Sequence, residues 1–262
     1  MKHTIQLILF LTVFVFFFLP ACGGQRPAEV TTESNADHLV KFDENGIAVL
    51  RGQISGGGFS ANTSGKTREA IQIFIPVKVE GIKTRITIPF LIRPESEFSS
   101  SMTSQTMTVR EYNIYHPFDQ VTDAFPRNAW AEITFRKNGA EFEAISFHEV
   151  IRKFSFFQTR SSIDGVFSTD PFSQGTVSGC FRYSSLPPGS RKPDYWMLEV
   201  PVDIHGVKAI INLEIRSAPH TRVITSNGVV ALDSGFSWGN SVLIQFTRKG
   251  NRLIADQITV FH

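Results

Sequence analysis

From Leu39 onward the chain alternates apolar and polar residues with a period of two, which predicts β-strands that each turn one face to a core. Ile71, Ile73, Ile75, Val77 and Val79 share one face, and Ile86, Ile88 and Phe90 follow a turn at Glu80-Gly81. Ile133 and Phe135 lead to Asn138-Gly139 and then Phe142, and Asn-Gly between alternating runs predicts a tight hairpin. Leu39 to Ile54 predicts another hairpin, turning at Glu44-Asn45-Gly46. Few stretches place apolar residues at helical spacing. Glu149 to Phe157 fits a short helix or a strand. The expected fold class is all-β.

The pattern repeats. Ile75-Pro76-Val77-Lys78-Val79-Glu80-Gly81-Ile82-Lys83 is matched by Val200-Pro201-Val202-Asp203-Ile204-His205-Gly206-Val207-Lys208. Both stretches run on into an apolar strand that reaches Ile-Arg, at Ile92-Arg93 and Ile215-Arg216. Later, Ile133-Thr134-Phe135-Arg136-Lys137-Asn138-Gly139 is matched by Ile244-Gln245-Phe246-Thr247-Arg248-Lys249-Gly250. Two hairpins repeated in the same order predict an internal duplication. The expected organisation is a first β lobe over 39–183, a linker over 184–194 with Leu186-Pro187-Pro188-Gly189, and a second, shorter lobe over 195–262. A β-sandwich is the alternative architecture.

The start of the chain differs in kind. Met1-Lys2-His3 is positive, and Thr4 to Leu19 is apolar and almost uncharged. That run is too short to span a bilayer, which needs about 20 residues, and suits the apolar core of a signal peptide. Leu19-Pro20-Ala21-Cys22 resembles the bacterial lipobox, which implies cleavage before Cys22 and lipidation of its thiol. Residues 1–21 then form a signal peptide. Residues 22–38, polar and without periodicity, form a lipidated flexible tether. Gly23 after the cysteine permits outer-membrane delivery in a Gram-negative cell, by resemblance to that sorting rule.

Composition narrows the function classes. Net charge is +2 and no run of like charge stands out, so there is no electrostatic case for nucleic acid. Of the two cysteines, lipidation of Cys22 leaves Cys180 without a partner in the chain, so no disulfide framework is expected. The seven histidines are scattered and His148-Glu149 lacks a second histidine, so neither a metal nor another cofactor is expected.

A strand, a Gly turn, a strand ending in a special loop and a later hairpin resemble one lobe of the retropepsin-like aspartic protease family. Val200 to Thr225 carries the resemblance best, and Ile163-Asp164-Gly165-Val166-Phe167-Ser168-Thr169-Asp170-Pro171-Phe172 resembles a later family segment. The resemblance implies barrel-like lobes and a pair of catalytic acids. Where it would place those acids stand Arg93-Pro94-Glu95-Ser96 and Arg216-Ser217-Ala218-Pro219, with Glu214 just before. Arginine does not give up its proton, and aspartic proteolysis needs two carboxylates close enough to share one. Arg93, Glu95, Glu214 and Arg216 are therefore expected to mark silent loops, with Glu95 and Glu214 as sequence-near partners of the arginines.

Other motifs read as decoys. Asp233-Ser234-Gly235 follows Gly228 too closely for the family's turn and strand. Gly235-Phe236-Ser237-Trp238-Gly239 lacks the strand–turn–helix setting of a nucleophile elbow. Gly56-Gly57-Gly58 reads as a loop, and Trp130, Trp196 and Trp238 as core or rim. The expected protein is lipid-anchored in the cell envelope, non-enzymatic, and binds a protein or peptide. A hydrolase with an unorthodox site and a purely structural β-sandwich are the alternatives.

Overall fold

The computed structural model describes residues 35–61, 67–103, 105–150, 162–185, 193–232 and 237–261. The fold is all-β. The first seven strands are β1 (Ile47–Ala61), β2 (Thr67–Val79), β3 (Ile82–Leu91), β4 (Glu97–Ser99), β5 (Met107–Thr108), β6 (Trp130–Asn138) and β7 (Glu141–Val150). A short β8 (Ser162–Ile163) follows. Then come β9 (Gln174–Ser185), β10 (Tyr195–Ile204), β11 (Val207–Arg216), β12 (Arg222–Thr225), β13 (Gly228–Val230), β14 (Ser241–Lys249) and β15 (Arg252–Phe261).

The strand order is β13-β12-β15-β14-β9-β10-β11-β3-β2-β1-β6-β7-β4-β5, which reads the same from both ends once β1–β7 are matched to β9–β15. In the first lobe β3, β2, β1, β6 and β7 close into a ring through a β3–β7 pairing; in the second, β11, β10, β9, β14 and β15 close through β11–β15. Closure removes sheet edges, which otherwise invite unwanted pairing. Inward residues fill each ring, including Phe90, Phe135 and Phe142 in one and Phe246, Leu253 and Ile215 in the other, all buried.

The match extends to irregularities. β6–β7 shifts register between Thr134 and Phe135, and β14–β15 shifts between the matched Gln245 and Phe246. β1–β2 and β9–β10 each carry a bulge, one past Ile54 and one past Phe181. Gly52 and Gly179 occupy matched sites on β1 and β9. A Cβ on Gly52 would meet the Ile73 side chain and come 2.6 Å from the Phe74 carbonyl oxygen; on Gly179 it would come 2.5 Å from that of Glu199. Both backbones pass too close for any other residue.

The lobes meet where β3 pairs antiparallel with β11, at Arg85↔Asn212, Ile86↔Ile211 and Thr87↔Ile210. Ile86 and Ile211 are matched residues, so a pseudo-twofold axis passes through this pair. Beside it the buried Asn212 Nδ2 donates to Thr87 Oγ1 at 2.9 Å. The lead-in segments are exchanged across the same boundary. Ala36 N–H donates to Asp203 O in the second lobe at 2.8 Å, and β8, which precedes the second lobe, pairs with Lys78 and Val79 in the first.

Several expectations change. Asp43–Gly46 does turn, with Gly46 N–H on Asp43 O at 3.0 Å, but among the described residues before it Leu39–Phe42 form no strand, so Leu39–Ile54 is not a hairpin. That segment is a lead-in committed to the other lobe. Gly56–Gly58 lie within β1, paired with Gln72, Ile71 and Ala70, rather than in a loop. β9 runs to Ser185 and pairs with β10 and β14, so a boundary at 183/184 cuts a strand of the second lobe. β7 ends at Val150; the rest of Glu149–Phe157 lies outside the described residues. A short helix, α1 (Val109–Tyr115), starts at a capping box in which the Thr108 hydroxyl and the Glu111 carboxylate each accept the other's backbone N–H. Among the described residues no helix is long and apolar enough to cross a membrane.

Candidate functional site

The loops after β3 and β11 share one brace. Arg93 N–H donates to Ser96 Oγ at 2.9 Å, and that buried hydroxyl donates to Ala144 O at 2.7 Å. In the second lobe Ala218 N–H donates to Thr221 Oγ1 at 2.8 Å, which donates to Ala255 O at 2.6 Å. The structural counterpart of Arg93 is therefore Ala218, two residues past Arg216. The shared Ile-Arg text is out of step with the backbone.

The arginines have different partners. Arg93 pairs with Glu143, not with Glu95. Glu143 is only 5% exposed and also receives Arg136 Nε at 3.3 Å and Asn138 Nδ2 at 3.2 Å. Burial pushes its carboxyl up, but the hydrogen bonds from Arg93, Asn138 and Arg136 outweigh burial and hold it below the ordinary glutamate value. Glu95 sits on the surface against Arg110 at 3.5 Å. Arg216 pairs with Glu214 at 2.9 Å and Asp194 at 3.6 Å.

Nor do the two loops converge. β3 and β11 cross at Ile86 and Ile211 and run in opposite directions. Each continues five residues beyond the crossing, to Leu91 and Arg216. At about 3.3 Å per residue, the strand ends lie on the order of 30 Å apart. The arginines and acids of these two loops therefore do not face each other.

The lobe junctions are more informative. Each has a two-residue turn over the other lobe's lead-in: Glu80-Gly81 over residues 164–169, and His205-Gly206 over residues 37–42. Glu80 and His205 both have positive φ, 48° and 52°, and the glycine after each completes a left-handed turn. A basic side chain from the opposite lobe reaches each glycine. Arg248 Nη2 lies 3.3 Å from where a Cβ on Gly81 would sit, and Lys137 Nζ lies 3.5 Å from the same point on Gly206.

At the His205 junction the space is filled. His205 N–H donates to Asp37 Oδ1, its Nε2 donates to Val40 O at 2.9 Å, and its ring packs edge-on to Phe42 at 5.3 Å between centroids. Burial opposes ionisation of Asp37, but the His205 N–H, the Asn35 amide and the nearby cations hold its carboxyl below the ordinary value. At the Glu80 junction the carboxylate turns aside to accept the Gly165 N–H at 2.5 Å. Thr169 stands where the first lobe has Phe42. A cleft of about 400 Å³ remains, lined by Glu80, Gly165, Phe167, Ser168, Thr169 and Arg248. Phe167 forms its apolar wall, edge-on to the core residue Phe246 at 5.2 Å. None of these residues stood out in the sequence as a site.

Trp130 and Trp196 are buried, whereas Trp238 is 71% exposed. Among the described residues no three His, Cys, Asp or Glu side chains form a group able to hold a metal ion. Cys180, expected to have no partner in the chain, is not a free thiol. Cys22, the leader, most of the tether and Asp233-Ser234-Gly235 lie outside the described residues.

No family model matches the chain, and no curated protein does. Among solved structures, a deletion mutant of the single-stranded DNA binding protein from Thermus aquaticus matches over 85% of each chain, at 11% identity and a TM-score of 0.17. A score that low carries no argument about fold or ligand.

Proposed function

We propose that the chain is a lipid-anchored, non-catalytic protein of the bacterial cell envelope that binds a protein or peptide partner. The binding half rests on one observation: of two matched lobe junctions, one is filled from within the chain and the other is an open cleft with a cation, a carboxylate and an aromatic wall. Sites of a few hundred Å³ with a few polar groups are where small ligands and side chains bind. The anchor half rests on the Leu19-Pro20-Ala21-Cys22 motif after an apolar run. The separation of the β3 and β11 loops supports a non-catalytic reading, while the order of hairpin, loop and later hairpin supports descent from retropepsin-like lobes.

Two measurements test this. A thioether to diacylglycerol uses up the Cys22 thiol, so in a chain with two cysteines the anchor and a disulfide to Cys180 exclude each other. Mass spectrometry of the mature N-terminus should find acylated Cys22, and Cys22→Ala should leave an unprocessed precursor. Any other N-terminus, or a bridged Cys22, overturns the anchor. Incubation with a diverse peptide mixture from acid to neutral pH should give no cleavage. Turnover that a pepstatin-type inhibitor blocks, and that Glu95→Gln or Glu214→Gln removes, overturns the non-catalytic reading.

A further inference from the structure

We propose that the open cleft takes an aromatic side chain from a peptide segment of the partner. This rests on the reading of the chain as a binding protein and names what it binds. The argument comes from the filled junction, which shows what the same backbone accommodates. There Phe42 lies against Phe135 at 6.0 Å, against Phe142 at 6.2 Å and against the His205 ring at 5.3 Å.

At the open junction the matched wall persists as Phe246 and Leu253, both 1% exposed. Both are already covered, Phe246 by the edge-on ring of Phe167, and Thr169 stands where the first lobe has Phe42. Phe167 supplies an aromatic surface instead, and aromatic pairs favour edge-on or offset contact. Arg248 lines the cleft, its Nε donating to Gly250 O at 3.1 Å, and a planar guanidinium can stack on a ring. The Ser168 and Thr169 hydroxyls and the Glu80 carboxylate can accept backbone N–H groups from the residues flanking that ring. A lining that joins the Phe167 ring to a guanidinium and several acceptors suits a phenyl or phenol ring on a peptide, and suits an aliphatic side chain less well.

The test is saturation-transfer NMR on the full chain in nanodiscs, with empty nanodiscs as the blank. The probes are acetyl-Gly-Phe-Gly-amide and its Leu counterpart. The Phe peptide should show transfer strongest at its ring protons and well above that of the Leu peptide. Thr169→Phe, which places a ring where the first lobe has one, should weaken the transfer about tenfold while thermal unfolding shows the variant folded. Arg248→Gln should weaken it less. Transfer to neither peptide would overturn the cleft as a binding site altogether. Equal transfer to both peptides, lost in Thr169→Phe, would keep the binding site and overturn the aromatic preference. Phe-peptide transfer unchanged by Thr169→Phe would place the ring elsewhere and overturn the proposal.

Discussion

At one lobe junction an imidazole and a phenyl ring close the space under a left-handed turn; at the other, a carboxylate swings to a backbone N–H and a threonine leaves the space open. The backbones of the two are matched through turn, lead-in and bulge. The contrast teaches that duplication constrained the path of the chain far more tightly than the side chains along it. The same holds beside the β3 and β11 loops. The hydroxyl brace is kept as Ser96 and Thr221, but the buried Glu143 of the first lobe is matched by Ile254 in the second. Arg93 and Arg136, which grip Glu143, are matched by Ala218 and Thr247, so the ion cluster has no counterpart at these positions of the second lobe.

The sharpest way to break the comparison is at the shared backbone contacts. Gly52→Ala and Gly179→Ala should each cost about 3 kcal/mol or more, because the new Cβ meets a carbonyl oxygen that sheet pairing holds in place. Chemical denaturation should show equal losses. A loss at only one site would mean that the two rings do not share this constraint.

Next in size is the feature confined to one lobe. Glu143→Gln should destabilise by about 2 kcal/mol, since it leaves two guanidiniums without their carboxylate, one partly exposed and one largely so. The sign with pH follows from its depressed folded-state value. The stabilisation is fully present above the ordinary glutamate range and is lost as pH falls through the lower, folded value. Wild type and variant should therefore converge in stability on strong acidification. A difference that stays constant with pH would remove the charge from the explanation.

A smaller effect compares the junctions themselves. Phe42→Thr should cost about 1.5 kcal/mol by uncovering Phe135 and Phe142, whereas Thr169→Phe should be neutral or stabilising because its cleft has room. Opposite signs in thermal unfolding sharpen the contrast, and equal signs break it. The smallest effect is at the matched turns. Asp43 Oδ1 accepts the N–H groups of Asn45 and Ile47, and Asp170 Oδ1 accepts those of Phe172 and Gln174. Asp43→Ala and Asp170→Ala should each cost about 1 kcal/mol in the same assay.

Much of this fold was legible because strands that bury one face must alternate. The runs Ile71–Val79 and Ile133–Phe142 announced β2, β6 and β7, and the glycines after Glu80 and His205 announced the turns. The duplication could be read from two hairpins but not from the third matched segment. Residues 36–55 and 163–182 share few identities, among them Asp37 with Asp164, Asp43 with Asp170, and Gly52 with Gly179. With so few shared residues, local sequence does not assign β9 to its own lobe. α1 has seven residues, too few to show a helical stripe, though Thr108-x-x-Glu111 is a capping-box signal. The junction cleft was hidden because its lining comes from three distant segments, and its distinctive feature is a ring that only the other lobe possesses. The loop arginines were visible, but their partners depended on which strand lay alongside, which local sequence does not encode.

The exchange of lead-ins has a consequence for the order in which the chain can fold during synthesis. Residues 35–36 leave the ribosome early, yet their partner Asp203 follows more than a hundred residues later. Meanwhile Lys78 and Val79 wait for β8. A half-made chain thus carries one arm without a dock and one dock without an arm, and neither lobe can reach its final form until both exist. Native pairing so distant along the chain slows folding and exposes unpaired edges while it lasts. Full-length protein should therefore unfold in one cooperative transition, and a chain that stops after β7 should be a client for chaperones rather than a stable half.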